Sequence, residues 1–183
     1  RQWHHYFLYG IERVARLSGQ RLIGSHDWYR LGAEYLVANQ DVLRGAWIGV
    51  GNEREQIIAT SLALLFLATG RSPVLINKLV HGPGNDWNND INDVRNLVDL
   101  ISAGWKHTLT WQTTDPDQAS VEDLLLAPIA YLNGHDAPVL TARAKETLRA
   151  FIDQGGFLIA EACCGDERFD RGFRALIREL FPE

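Results

Sequence analysis

Pro73-Val74-Leu75-Ile76-Asn77-Lys78-Leu79 is where the pattern of this chain changes. From here on, short continuous apolar runs alternate with amphipathic ones. The runs Val74-Leu75-Ile76, Leu109-Thr110-Trp111, Ile129-Ala130-Tyr131-Leu132 and Phe157-Leu158-Ile159-Ala160 read as strands buried on both faces, as a parallel sheet requires. Between and after them, Val94, Leu97, Val98 and Ile101 recur at helical spacing, Leu148, Phe151 and Ile152 do the same, and Phe169, Phe173, Leu176, Ile177 and Leu180 repeat it at the end. Strand and helix in alternation predict βαβ units in a doubly wound α/β sheet with helices on both faces.

Working back from Pro73, the spacing predicts three helices. Residues 3–17 place Leu8, Ile11 and Ala15 on one face, and Ser18-Gly19 ends that run. Residues 28–39 align Trp28, Leu31, Tyr35 and Ala38, with Ser25 and Asp27 as candidate N-caps. Residues 53–69 carry Ile58, Leu62, Leu65 and Phe66 on one stripe and stop at Gly70, a natural C-cap. Gly10 and Gly32 are expected to mark close helix packing. The apolar stretch 57–68 is broken by Thr60 and Ser61 and falls well short of the roughly 20 residues that span a bilayer. It reads as a buried core helix. The expected division is a helical segment over 1–71 and an α/β domain over 72–183.

Composition agrees with a globular chain: 183 residues, 46% of them hydrophobic, supply a substantial core. The net charge of -5 is spread thinly, with no basic stripe for a phosphate backbone, so nucleic acid is not an expected partner. No charged-then-apolar leader is visible, and the chain opens on Arg1 without a methionine anywhere, as a piece of a longer protein would. The two cysteines, Cys163 and Cys164, are neighbours and cannot form the framework that staples small secreted domains.

The helical part carries a second signal. Arg30-Leu31-Gly32-Ala33-Glu34-Tyr35-Leu36-Val37-Ala38-Asn39-Gln40, followed by Gly45-Ala46-Trp47, resembles the QW repeat of squalene cyclases and prenyltransferases. In that repeat a glutamine amide serves free backbone groups at a helix end while the tryptophan packs over it. The Asp-rich motif by which cyclases protonate their substrate is missing; the nearest run, Trp87-Asn88-Asn89-Asp90-Ile91-Asn92-Asp93, falls in the α/β part. Taken with Ala59 to Leu67, Pro73 to Leu79 and Asp153 to Glu161, these segments resemble a group of uncharacterised bacterial proteins. In that group prenyltransferase-like toroid repeats precede a domain of unknown function (number 4159). The resemblance implies a parallel Rossmann-like sheet of the class I glutamine-amidotransferase kind, preceded by about three helices of an α/α toroid. It also implies an envelope or periplasmic, membrane-associated setting, and no established activity.

Several residues are candidates for chemistry. Gly155-Gly156-Phe157-Leu158-Ile159-Ala160-Glu161-Ala162-Cys163-Cys164-Gly165 resembles the strand-to-turn elbow of class I amidotransferases, which would aim the Cys163 thiol at the next helix N-terminus, where a thiolate is favoured. Against this, Glu161, Asp166 and Glu167 surround the thiol with negative charge. No histidine lies downstream to act as base, so His81, His107 or His135 would have to be brought close by the fold. Cys163 also reads as a small buried residue closing the strand.

The loop over 82–93 follows the first strand, at the end of the sheet where such folds bind ligands. It offers Trp87, Asn88, Asn89, Asp90 and Asp93 beside His81, although Asn92 or Asp93 can also serve simply as a helix cap. Glu161 and Asp166 are candidates for a cation site with Asp90 or Asp93, and Asp166 equally for an N-cap. His4-His5 and His26-Asp27 match no zinc spacing, so no metal or cofactor is expected. Trp3, Trp28, Tyr35 and Trp47 read as core, or as the lining of an apolar cavity. The reading that follows is a non-catalytic module binding a ligand or protein partner. The alternatives are an amidotransferase-like cysteine hydrolase using Cys163 and a terpenoid-binding remnant of a toroid.

Overall fold

The computed structural model describes residues 2–20, 22–24, 26–69 and 72–182. Two of the expected caps, Ser25 and Gly70, lie outside the described residues. The chain divides into two compact units, Arg1–Ser72 and Pro73–Glu183.

The first unit holds three helices, α1 (His4–Ser18), α2 (Trp28–Ala38) and α3 (Gln56–Thr69), and a short antiparallel pair, β1 (Leu22–Ile23) with β2 (His26–Asp27). Gly19, at φ 65, ends α1 by returning its N–H to the last carbonyls, a conformation that costs glycine little. Asp27 begins α2, its carboxylate accepting the Arg30 N–H at 2.9 Å. The N-terminus of α1 is capped from 47 and 48 residues away: the fully buried Glu53 accepts the backbone N–H groups of Tyr6 at 2.8 Å and His5 at 3.2 Å. Burial pushes the Glu53 carboxyl upward, but those donors and the His5 ring outweigh it and hold the carboxyl below its usual range.

Which faces are buried differs from the expected stripes. The core gathers Leu8, Leu36, Trp47, Ala59, Ala63 and Phe66. On α2 the buried face runs through Gly32 and Leu36, while Leu31 and Tyr35 are exposed. A Cβ on Gly32 would stand 2.3 Å from Cζ of Phe66, so the bare glycine admits the ring and sets the orientation of the helix. No comparable neighbour exists at Gly10, where a Cβ would meet nothing within 4 Å. On α3 the buried line is Ala59, Ala63 and Phe66; Ile57, Ile58, Leu64 and Leu65 are exposed, so this is not the core helix its composition suggests. The tryptophan takes the part expected of the glutamine. The Trp47 indole donates to the Leu36 carbonyl at 2.7 Å, and its backbone N–H donates to Thr60 Oγ1 at 3.1 Å. Among the described residues the Gln40 amide makes no hydrogen bond.

The second unit is a mixed α/β layer structure around a four-stranded parallel sheet, β3 (Val74–Leu79), β4 (Thr110–Thr114), β5 (Ile129–Gly134) and β6 (Phe157–Ala162), in the order β4-β3-β5-β6. Helix α4 (Asp93–Trp105) packs Val94 and Val98 against Ile76 and Tyr131 on one face. Helices α5 (Val121–Leu124), α6 (Ala142–Asp153) and α7 (Glu167–Leu180) cover the other, with Leu124, Leu148, Phe151, Phe169, Leu176 and Leu180 against Leu79, Ala130 and Leu132. Each strand runs past its apolar stretch into polar residues. Burial on both faces holds for the central strands β3 and β5; β4 and β6 are edges, and Phe157 of β6 is exposed. The unexpected α5 is a single turn fixed by a capping box, Ser120 with Asp123. No described helix is long and apolar enough to cross a membrane.

Candidate functional site

The chain runs from β3 out to the edge strand β4, then returns across β3 to β5. The carboxyl ends of β3 and β5 therefore flank a point where the winding reverses, and a crevice opens there in parallel sheets. Three loops meet at these strand ends: residues 80–92 after β3, 135–141 after β5 and 163–166 after β6.

Register places Lys78 beside Tyr131, and Asn133 beside Glu161, on one face of the sheet. Lys78 is 2% exposed, and its ammonium reaches Asp93 Oδ1 at 2.7 Å, Asn88 Oδ1 at 2.9 Å and the Asp90 carbonyl at 2.9 Å. All three N–H donors are used, so the buried charge is neutralised while pinning the first loop from beneath. The Trp87 ring lies over the same ammonium, 6.0 Å from its centroid. Tyr131 donates its hydroxyl to the Glu161 carboxylate and accepts from Asn133 Nδ2 at 3.3 Å. Burial and then that carboxylate push the phenol above its usual range.

Asp86 joins the first loop to the second. Its carboxylate accepts the backbone N–H groups of His135 and Asp136, each at 3.0 Å to Oδ2, and Asn89 Nδ2 at 2.8 Å to Oδ1; His135 Nδ1 is 3.3 Å from Oδ1. Burial alone would raise this carboxyl, but the donors hold it well below the usual carboxylate range. Gly134 makes the approach fit: a Cβ there would lie 2.7 Å from Asp86 Oδ2.

The third loop carries the cysteines. Cys163 is covered, with its Sγ 3.5 Å from Asp90 Oδ2 and 3.9 Å from Cys164 Sγ. Burial, then the hydrogen bonds to Cys164 and Asp90, push its thiol up to about 12. Cys164 is exposed and sits at φ 56, in the left-handed region. One nitrogen of His135 and the two sulfurs all lie within 4.8 Å of one another.

The expected residues thus divide. Trp87, Asn88, Asn89, Asp90, Asp93, Glu161 and Cys163 all belong to this connected crown. Asp166 caps α7 through the Arg168 N–H and binds the Arg168 guanidinium at 2.8 Å, which keeps its carboxyl down at about 2, with a smaller effect from His135. Asn92 makes no side-chain cap, and Asp93 is taken by Lys78. In the first unit His5 joins Glu53, and the His4 ring lies 4.1 Å from that of Tyr35. Trp47 is buried and Trp28 packs against the same core, whereas Trp3 helps line an apolar concavity of about 830 Å³ with Tyr6, Phe7, Ile11, Val14 and Ile23.

A family model described as a domain of unknown function (DUF4159) matches residues 75–183. The chain belongs to this family. No curated protein and no solved structure matches it. The DUF4159 span takes in Lys78, Asp86, Tyr131, His135 and both cysteines, so the crown is wholly a property of that domain. Sequence reasoning gave no role to Lys78, Asp86, Tyr131 or Cys164, and reached His135 only as one of three histidines. The available signals were a lysine inside an apolar strand and a glycine-histidine pair at the end of one.

Proposed function

We propose that the DUF4159 domain is a non-catalytic module that binds a ligand or partner protein at the loop crown over the β3 and β5 strand ends. The observation that carries this reading is the setting of Cys163. Its sulfur is covered and faces the Asp90 carboxylate, an arrangement that opposes a thiolate. Around it, polar groups are locked together by Lys78 and Asp86, as a preformed recognition surface requires. The strand order and the reversal between β3 and β5 support a Rossmann-like sheet of the amidotransferase kind. The three helices support a toroid-repeat remnant, in a larger envelope-associated protein. The apolar concavity on α1 is where a terpenoid would bind, and an added isoprenoid alcohol that leaves the melting temperature unchanged removes that idea.

The test is alkylation of the reduced, chelator-treated chain by iodoacetamide across pH, with Cys163→Ser and Cys164→Ser variants assigning each signal. Cys164 is expected to react in the folded protein and Cys163 only on unfolding. A fast Cys163 with an apparent pKa well below about 8.5 would replace this reading with a second one, an amidotransferase-like cysteine hydrolase. That reading draws on His135, one ring nitrogen of which lies within 4.8 Å of Cys163 Sγ and whose Nδ1 stands 3.3 Å from Asp86 Oδ1. It requires that Cys163→Ala abolish any amide or ester turnover found.

A further inference from the structure

We propose that His135, Cys163 and Cys164 form a binding site for a thiophilic divalent metal ion of the zinc class. Three donor atoms within 4.8 Å of one another offer such an ion three ligands and leave a fourth position open. Zinc–sulfur bonds of about 2.3 Å place two thiolates about 3.8 Å apart across a tetrahedral edge. The sulfurs of Cys163 and Cys164 already stand 3.9 Å apart. Adjacent residues of an extended chain point to opposite sides, and the turn at Cys164, φ 56, followed by Gly165 at φ 72, brings the two thiols to one side.

The histidine is prepared in the same sense. Its Nδ1 lies 3.3 Å from Asp86 Oδ1 and 2.8 Å from the Asn89 side-chain amide, so a metal taken by Nε2 would leave an N–H at Nδ1 for the Asp86 carboxylate to accept. A carboxylate behind the imidazole is the usual companion of a metal-binding histidine, since it fixes the tautomer and raises ligand basicity. Asp86 is itself anchored by Asn89 and by the backbone of His135 and Asp136, so the ligand is set in a rigid frame. Asp90 is a neighbour of this cluster, its Oδ2 3.5 Å from Cys163 Sγ, while the three donors that lie together are those of His135, Cys163 and Cys164. Two sulfurs and one imidazole select zinc, cobalt or cadmium over magnesium or calcium, which prefer oxygen cages. Binding converts both thiols to thiolates and releases two protons to solvent, with no redox change. The inference goes beyond the binding-module reading and does not depend on it.

The experiment is a titration of the full chain, reduced and freed of metal by chelation, with Co²⁺ as spectroscopic probe and Zn²⁺ as competitor. One Co²⁺ per chain is expected, with thiolate-to-cobalt charge-transfer absorption and the intense visible bands of a tetrahedral ion, all bleached by one equivalent of Zn²⁺. Asp86→Asn, which keeps the ligands, is expected to weaken affinity by about 10- to 100-fold. Cys164→Ser and His135→Gln are expected to weaken it further, and His107→Gln, at an exposed histidine, to leave it unchanged. Cys164 is exposed, so its serine variant should keep the parent thermal unfolding and separate lost ligation from lost fold. Cobalt spectra without charge transfer, or parent affinity in Cys164→Ser, overturn the proposal. Because the alkylation test is run in chelator, failure here leaves its outcome untouched.

Discussion

Lys78 is the residue on which the crown depends most directly. An ammonium 2% exposed is tolerable only because Asp93, Asn88 and the Asp90 carbonyl absorb all of its donors. Removing it strands the Asp93 carboxylate, whose Oδ2 already has no hydrogen-bond partner. Lys78→Met is therefore expected to cost about 3 to 5 kcal/mol in urea unfolding, and the double variant Lys78→Met/Asp93→Leu to recover much of it. A loss below about 1 kcal/mol in the single variant would mean that the pair is not sealed from water. Asp86 makes a different prediction, in pH. Its folded pKa lies below the ordinary 3.8, so its stabilising effect is full above that value and is lost as pH falls below it. Asp86→Asn should flatten the stability profile below about pH 4. Asp166 is depressed for a separate reason, its Arg168 partner, so Asp166→Asn measured alongside isolates the Asp86 share of the slope.

At the level of elements, periodicity located the helices well but assigned their faces poorly, and Gly32 shows why. A pattern of large apolar residues favours Leu31 and Tyr35 as the inward face, yet packing against Phe66 rewards the residue with no side chain. Likewise Ala59 and Ala63, not their larger neighbours, line the buried side of α3, because small residues let helices approach. The two helical glycines give a paired prediction. Gly10→Ala meets open space and should raise stability by up to about 1 kcal/mol through helix propensity. Gly32→Ala gains the same propensity but drives a methyl into a fully buried ring, and should cost about 1 to 3 kcal/mol net. Equal thermal shifts for the two would show that the Phe66 ring yields. The strands were legible for a simpler reason. Continuous apolar runs mark burial, while their polar ends, Asn77-Lys78 and Asn133 among them, look like loop until the site they serve is seen.

For the whole molecule, the parallel sheet was readable from strand-helix alternation, whereas the site was readable only in part. Loop 82–93 is rich in Gly, Asn and Asp and announces itself. His135 and Cys163 are separated by a full helix and strand, α6 and β6, and only the order β4-β3-β5-β6 brings β5 and β6 together so that their ends meet. The same topology bears on independence. Both sheet cores, one around Leu79, Leu132 and Phe151 and the other around Ile76, Val98 and Tyr131, draw every member from beyond residue 73. All four strands and their covering helices do so as well. A domain that contains its own core folds alone. Residues 73–183 expressed separately should therefore show near-ultraviolet circular dichroism and a single cooperative urea transition. In that fragment Lys78→Met should lose the same free energy as in the full chain, since its partners are all retained. A fragment with far- but not near-ultraviolet signal would be a molten globule, and would show that the two cores are insufficient without the helical unit.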